Sequence, residues 1–195
     1  MNADAAVAEL FALCRLQADV DYIGESISQL EHMTQAADLA QADGADDELV
    51  LAAFCHDVGH FCVPSAAHNS MAGLGRVGHE QVGAHWLRGL GFPDRLCGVV
   101  ARHVDAKRYL CRREAGYLAA LSSASWQTLA WQGGPMSDGE ADAFEQDPLF
   151  ADSLRLRRWD EQAKEIGRPM PDLAELERMA VQVYLSGRPN AVRSV

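Results

Sequence analysis

A histidine fused to an aspartate ends a run of apolar residues at Phe54-Cys55-His56-Asp57-Val58-Gly59-His60, and both side-chain types are competent metal ligands. Neighbouring side chains on a helix diverge by about 100°, so one ion held by both His56 and Asp57 must sit over the helix end, where Gly59 frees the backbone to turn. His32 lies upstream, His79 and His103 lie downstream, and Asp160 closes the segment Arg157-Arg158-Trp159-Asp160. Imidazole with carboxylate suits iron, manganese or zinc, and the absence of thiolate spacing speaks against a structural zinc. The set is able to hold one ion or two. Two ions need a bridging group, for which Asp57 is the natural candidate because a carboxylate has two oxygens to share. His32, His56 and Asp160 then complete one ion, and His79 with His103 the other.

Helices must position these residues. Val7, Leu10, Phe11, Leu13, Cys14 and Leu16 recur at helical spacing within 4–18, and the stretch from Val20 to Glu25 breaks that pattern. Periodicity resumes from Ser26 and stops at Gly44. A third helix starts in the acidic Asp46-Asp47-Glu48 and runs to His56. Residues 61–78, with Pro64 and three glycines, read as a long loop, and a long loop beside a candidate metal site is more often a lid than a linker. Further helices are expected over 79–90, from Pro93 to about Val104, over 114–121, 123–132 and 148–166, and from Asp172 to Ser186, with Ser137 and Glu140 forming a capping box for a short one. No stretch alternates for long enough to need a sheet. The fold class expected is all-α, one domain over 1–187 with a frayed tail from Arg188.

Composition narrows the partners. The 28 acidic residues outnumber 17 basic ones, giving a net charge of -11, which disfavours nucleic acid and anionic membranes. Local basic residues (Lys107, Arg108, Arg157, Arg158) fit a small anionic substrate better than a polymer. Five cysteines form no C-x-x-C pair, which implies a reducing compartment. With no leader-like segment and no apolar stretch of spanning length, a soluble cytoplasmic protein is expected, its oligomeric state open.

The His-Asp pair and its partners resemble the HD-domain superfamily of helical metalloproteins, most of which are phosphohydrolases. The closer resemblance is to a branch of mixed-valent di-iron oxygenases that break carbon-phosphorus bonds in organophosphonates. It rests on Asp21-Tyr22-Ile23-Gly24-Glu25, Gln29-Leu30-Glu31-His32, His56-Asp57-Val58-Gly59-His60, His103 with Lys107-Arg108-Tyr109-Leu110, Gln132-Gly133-Gly134-Pro135-Met136 and Arg157-Arg158-Trp159-Asp160. The metal pattern is shared with other di-iron HD oxygenases; the flanking tyrosine, lysine and arginine segments are more specific.

The resemblance implies an HD-domain helical bundle, two iron ions (Fe2+/Fe3+), O2 as co-substrate and a small phosphonate as substrate. It also implies a phosphonate pocket of His60, Lys107, Ser125 and Arg157, and a gate in which Tyr22, beside Glu25, withdraws from iron when substrate arrives. Local spacing agrees with part of this. Lys107 follows His103 by four residues and Arg157 precedes Asp160 by three, so on continuous helices each cation shares a face with a metal ligand. Carbon is a very poor leaving group, so oxidation is the sensible route to cleavage and the metal must be redox-active. Tyr22, Met33, Phe54, Met71 and Glu25 suit a trimethylammonium tail, which favours the substrate yielding glycine betaine, with the free amine yielding glycine as runner-up. An HD phosphohydrolase and a catalytically inert helical binding module are the alternatives.

Overall fold

The computed structural model describes residues 1–22, 24–64 and 69–187; the tail expected to fray, from Arg188, lies outside them, as do Ile23 and residues 65–68 of the predicted lid. Ten α-helices form among the described residues, with no strand beyond the isolated bridges Asp21 to Ser28 and Ser70 to Arg76. They are α1 (Ala3–Arg15), α2 (Gln29–Ala42), α3 (Asp47–Cys55), α4 (His79–Leu90), α5 (Asp94–Arg113), α6 (Tyr117–Ala120), α7 (Ser123–Trp131), α8 (Asp138–Phe144), α9 (Phe150–Gln162) and α10 (Leu173–Ser186).

Helix α3 is the axis of the bundle. Every residue from Leu49 to Cys55 is buried, the signature of a helix surrounded on all sides. Asp46 caps its start by accepting from the Leu49 N–H at 3.0 Å, and Asp47 and Glu48 complement the dipole. Helices α2, α5, α9 and α10 pack round it, and α1 packs on α10. Phe11 of α1 stacks on Phe54 of α3, ring centres 5.1 Å apart. Beyond α3 a 3-10 turn, Val58–His60, crosses the first turn of α4. It crosses so closely that a Cβ on Gly59 would lie 1.8 Å from the His79 carbonyl oxygen, and the facing Gly83 is equally bare. That approach brings the end of α3 and the start of α4 to one point.

Among the helix boundaries that differ from those expected, α1 ends at Arg15 rather than at residue 18 and α6 covers only Tyr117–Ala120; three others bear on the site. Helix α2 begins at Gln29 rather than Ser26, because Ser28 and Glu31 form a reciprocal capping box. Helix α5 runs to Arg113, nine residues past Val104, so Lys107 does share a helix with His103. Helix α9 stops at Gln162, short of Gly167, where Ala163 leaves the helical region. No helix of the described residues is long and apolar enough to cross a membrane.

Candidate metal centre

Four histidines converge from four elements: His32 from α2, His56 just past α3, His79 from the first position of α4 and His103 from the middle of α5. All four are buried. The Nδ1 of each lies against a backbone carbonyl: His32 on Ala163 (2.8 Å), His56 on Ala53 (2.8 Å), His79 on Arg76 (3.2 Å) and His103 on Val100 (2.8 Å). A carbonyl only accepts, so each ring carries its proton on Nδ1 and turns a bare Nε2 lone pair inward. The lone pairs meet in twos, His32 with His56 at 3.1 Å and His79 with His103 at 2.9 Å. Two acceptors facing at hydrogen-bond distance repel unless a cation lies between them. Spacings near 3 Å are also those of neighbouring ligands on an ion with bonds of about 2.0–2.1 Å.

Asp57 joins the pairs. Its Oδ2 lies 3.7 Å from His32 Nε2 and 3.5 Å from His56 Nε2, and its Oδ1 lies 3.3 Å from His79 Nε2 and 3.6 Å from His103 Nε2. One oxygen faces each pair, the disposition a bridging carboxylate requires. Asp160, from α9, adds Oδ1 at 3.5 Å from His32 Nε2. Burial works against both charges, and the Arg157 guanidinium beside Asp160 holds that carboxyl well below the usual range. The donors therefore fit two ions, each with imidazole and carboxylate ligands, and offer no thiolate.

His60 stands apart although it is close. Its ring stacks on His79 with centres 3.9 Å apart, and its Nδ1 accepts the Arg76 N–H at 3.0 Å. Its proton is therefore on Nε2, the reverse of the other four, and that N–H is available as a donor toward the cavity. Burial, with His79 beside it, lowers its pKa to about 3, so it stays neutral.

The opposite wall is cationic. Lys107, one turn beyond His103, donates to the Thr128 hydroxyl at 3.2 Å, and its Nζ lies 3.4 Å from the Ser125 carbonyl oxygen. Burial and the neighbouring Arg157 charge lower its pKa to about 7. Arg157 holds Asp160 at 2.5 Å, donates to the Tyr117 hydroxyl at 3.0 Å and reaches Ser125 Oγ at 3.5 Å. Between this wall and the donors lies a cavity of about 50 Å3, room for only a few waters. Tyr22 covers it, stacked on His32 with ring centres 3.8 Å apart. Burial and the Asp57 and Asp160 charges raise the Tyr22 pKa well above its ordinary value, so it is a neutral phenol.

The twelve residues singled out from the sequence thus gather at one place. Of the tail-binding group, Tyr22, Glu25 and Met71 line the cavity, whereas Met33 and Phe54 belong to the apolar core; the preference of methionine and phenylalanine for burial accounts for them. Thr128, Gln132 and Lys164 also line the cavity and carried no assignment. Gln132 belongs to one of the resembling segments, and its buried Oε1 finds no protein partner. Lys164 follows a helix end that nothing in the sequence marks.

The HD domain family model matches residues 29–149. A hydroxymethylphosphonate dioxygenase of Gimesia maris is 40% identical over 87% of this chain and 83% of its own length. A [1-hydroxy-2-(trimethylamino)ethyl]phosphonate dioxygenase (glycine-betaine-forming) of Leisingera caerulea is 36% identical over 80% of this chain and 79% of its own. An uncharacterized protein of Acanthamoeba polyphaga mimivirus is 41% identical over 88% and 78% respectively.

Proposed function

The chain belongs to the HD domain family, and on that premise we propose that it is an O2-dependent, di-iron oxygenase that cleaves the carbon-phosphorus bond of a small 1-hydroxyphosphonate. The observation that carries the reading is the two-centre donor set with Asp57 between its halves, walled by Lys107 and Arg157. Kinship with two phosphonate dioxygenases over four fifths of the chain or more supports the substrate class.

In this reading His32, His56 and Asp160 would hold one iron and His79 and His103 the other, with Asp57 placed to serve both. Iron bound there supplies the one-electron steps and O2 activation that protein side chains cannot. The chain's own residues do the rest. Arg157 and Lys107 bind the phosphonate oxygens through charge-assisted hydrogen bonds, and the Ser125 hydroxyl and the His60 Nε2–H supply neutral donors. Arg157 also holds Asp160, so substrate and ligand are fixed by one guanidinium. Tyr22 closes the site from solvent and moves aside on substrate entry. The balance is that of a dioxygenase: carbon 1 is oxidised, the carbon-phosphorus bond breaks, and both atoms of O2 end in a carboxylate and inorganic phosphate. A trimethylammonium substrate yields glycine betaine, an amine yields glycine, and hydroxymethylphosphonate yields formate.

Iron-loaded protein should release phosphate from a 1-hydroxyphosphonate with matching O2 consumption and none under anaerobic conditions. Phosphate release without oxygen, or turnover of phosphomonoesters instead, overturns the oxygenase reading in favour of an HD hydrolase.

A further inference from the structure

Lys164 is the cavity-lining cation that the phosphonate does not need. Its Nζ donates to Glu25 Oε1 at 2.9 Å and to the Ser122 hydroxyl at 3.0 Å, and it lies 5.9 Å from the centre of the Tyr22 ring. It is not a roaming surface lysine. The Ala163 carbonyl before it is tied to His32, and Glu165 after it is tied through both its N–H and its carbonyl to the Gln35 side chain at 2.9 Å each. The backbone that carries Lys164 is thus pinned to α2 on both sides, and the side chain is only 16% exposed.

Apart from Asp57 and Asp160, which belong to the metal donors, Glu25 is the carboxylate that lines the cavity among the described residues. A substrate bearing an ammonium group next to carbon 1 needs such a carboxylate, and here it is already paired. With Lys107 and Arg157 taken up by the phosphonate, the tail faces the Lys164–Glu25 pair, in which the carboxylate charge is already matched. A cationic tail would have to displace the Lys164 ammonium or lie beside it, and like charges in a water-poor site repel strongly.

Resting on the phosphonate reading of the site, we propose that Lys164 is a specificity-determining residue: by occupying Glu25 it selects 1-hydroxyphosphonates without a cationic substituent over their ammonium-bearing counterparts. This reverses the preference that the sequence favours, because that preference counts on a free Glu25 charge. The simplest favoured ligand is hydroxymethylphosphonate.

Binding measured without oxygen tests the proposal separately from turnover. Calorimetric titration of the iron-loaded protein should show hydroxymethylphosphonate binding at least tenfold more tightly than (R)-1-hydroxy-2-(trimethylammonio)ethylphosphonate or (R)-2-amino-1-hydroxyethylphosphonate. Lys164→Met keeps the apolar stem and removes the charge; it should shrink that ratio tenfold or more, chiefly by tightening the ammonium ligands, while Lys164→Arg preserves it. Adding Glu25→Gln to Lys164→Met should restore the wild-type ratio. An ammonium ligand preferred by the wild type, or a ratio that Lys164→Met leaves unchanged, overturns the proposal. The wild-type ratio needs no variant, so a poorly folding Lys164→Met does not spare it. Admitting oxygen then reads the enzymatic assignment: the stated binding preference without phosphate release upholds the role of Lys164 and rejects the oxygenase.

Discussion

Asp57 offers one oxygen to each histidine pair, so its removal should be felt by both. Asp57→Ala is expected to lose both ions, and His103→Ala to weaken mainly one; metal analysis after desalting separates the two outcomes. Across the cavity, Lys107→Ala and Arg157→Ala should leave more of the iron in place while kcat/KM falls roughly ten- to a hundredfold, the equivalent of one charge-assisted hydrogen bond each. Arg157→Ala is the harsher because it also releases Asp160. The Lys107 pKa is lowered to about 7, so its charge is present below that pH and lost as pH rises through it. Phosphonate affinity should therefore decline above about pH 7, and Lys107→Arg, which keeps its charge, should flatten the profile; an unchanged profile in that variant removes Lys107 from the binding role. Tyr22→Phe keeps the ring stacked on His32 but removes the hydroxyl. If that hydroxyl gates the iron, resting enzyme without substrate should consume more O2, and identical uncoupled oxidation rejects the gate.

Helix ends bring His56 and His79 together, and the middle of α5 adds His103. The turn Val58–His60 crosses α4 only because Gly59 and Gly83 carry no Cβ. Gly59→Ala places a methyl group against backbone that no rotamer change can relieve, so it should cost at least the ~1–3 kcal/mol typical of overpacking and impair metal uptake. Gly139→Ala is the contrast: its Cβ would meet nothing, within α8, and ~0.4–1 kcal/mol of stabilisation is expected from the unfolded chain alone. Urea unfolding of the two variants tests both signs. The same ends explain what the sequence made legible. Apolar periodicity and capping residues located the helices, and His-Asp at the end of the run that is apolar from Leu49 to Cys55 located the site. The second half of α5 escaped because its inward face carries His103 and Lys107 beside Ala106 and Leu110, so a buried stripe reads as a polar one. The end of α9 escaped because Ala163 leaves the helix to receive the His32 N–H, a demand set by a residue 131 positions away. Lys164 went unassigned for the same reason.

At the scale of the whole molecule, the site draws on residues outside the stretch matched by the family model. Tyr22 and Glu25 precede it, and Arg157 and Asp160 follow it. The main core runs from Ala6 on α1 to Tyr184 on α10, and a smaller cluster of Met136, Ala141 and Phe144 joins α5 at Ala106, so we propose that 1–187 folds as one cooperative unit. At its centre two pairs of Nε2 atoms face each other at 3.1 and 2.9 Å in a buried setting. Metal binding to the folded chain removes the repulsion between them and, by mass action, stabilises the fold by ~2.7 kcal/mol when free ligand is a hundredfold above Kd. For a chain of this length each 1 kcal/mol moves Tm by roughly 2–4 °C, so loading should raise Tm by roughly 5–10 °C. Calorimetry of the apo and iron-loaded protein should show a single transition in each, shifted by that amount, and Asp57→Ala should abolish most of the shift. Two resolved transitions would divide the proposed unit. A loaded protein no more stable than the apo form would mean that the facing histidines are held apart by something other than metal.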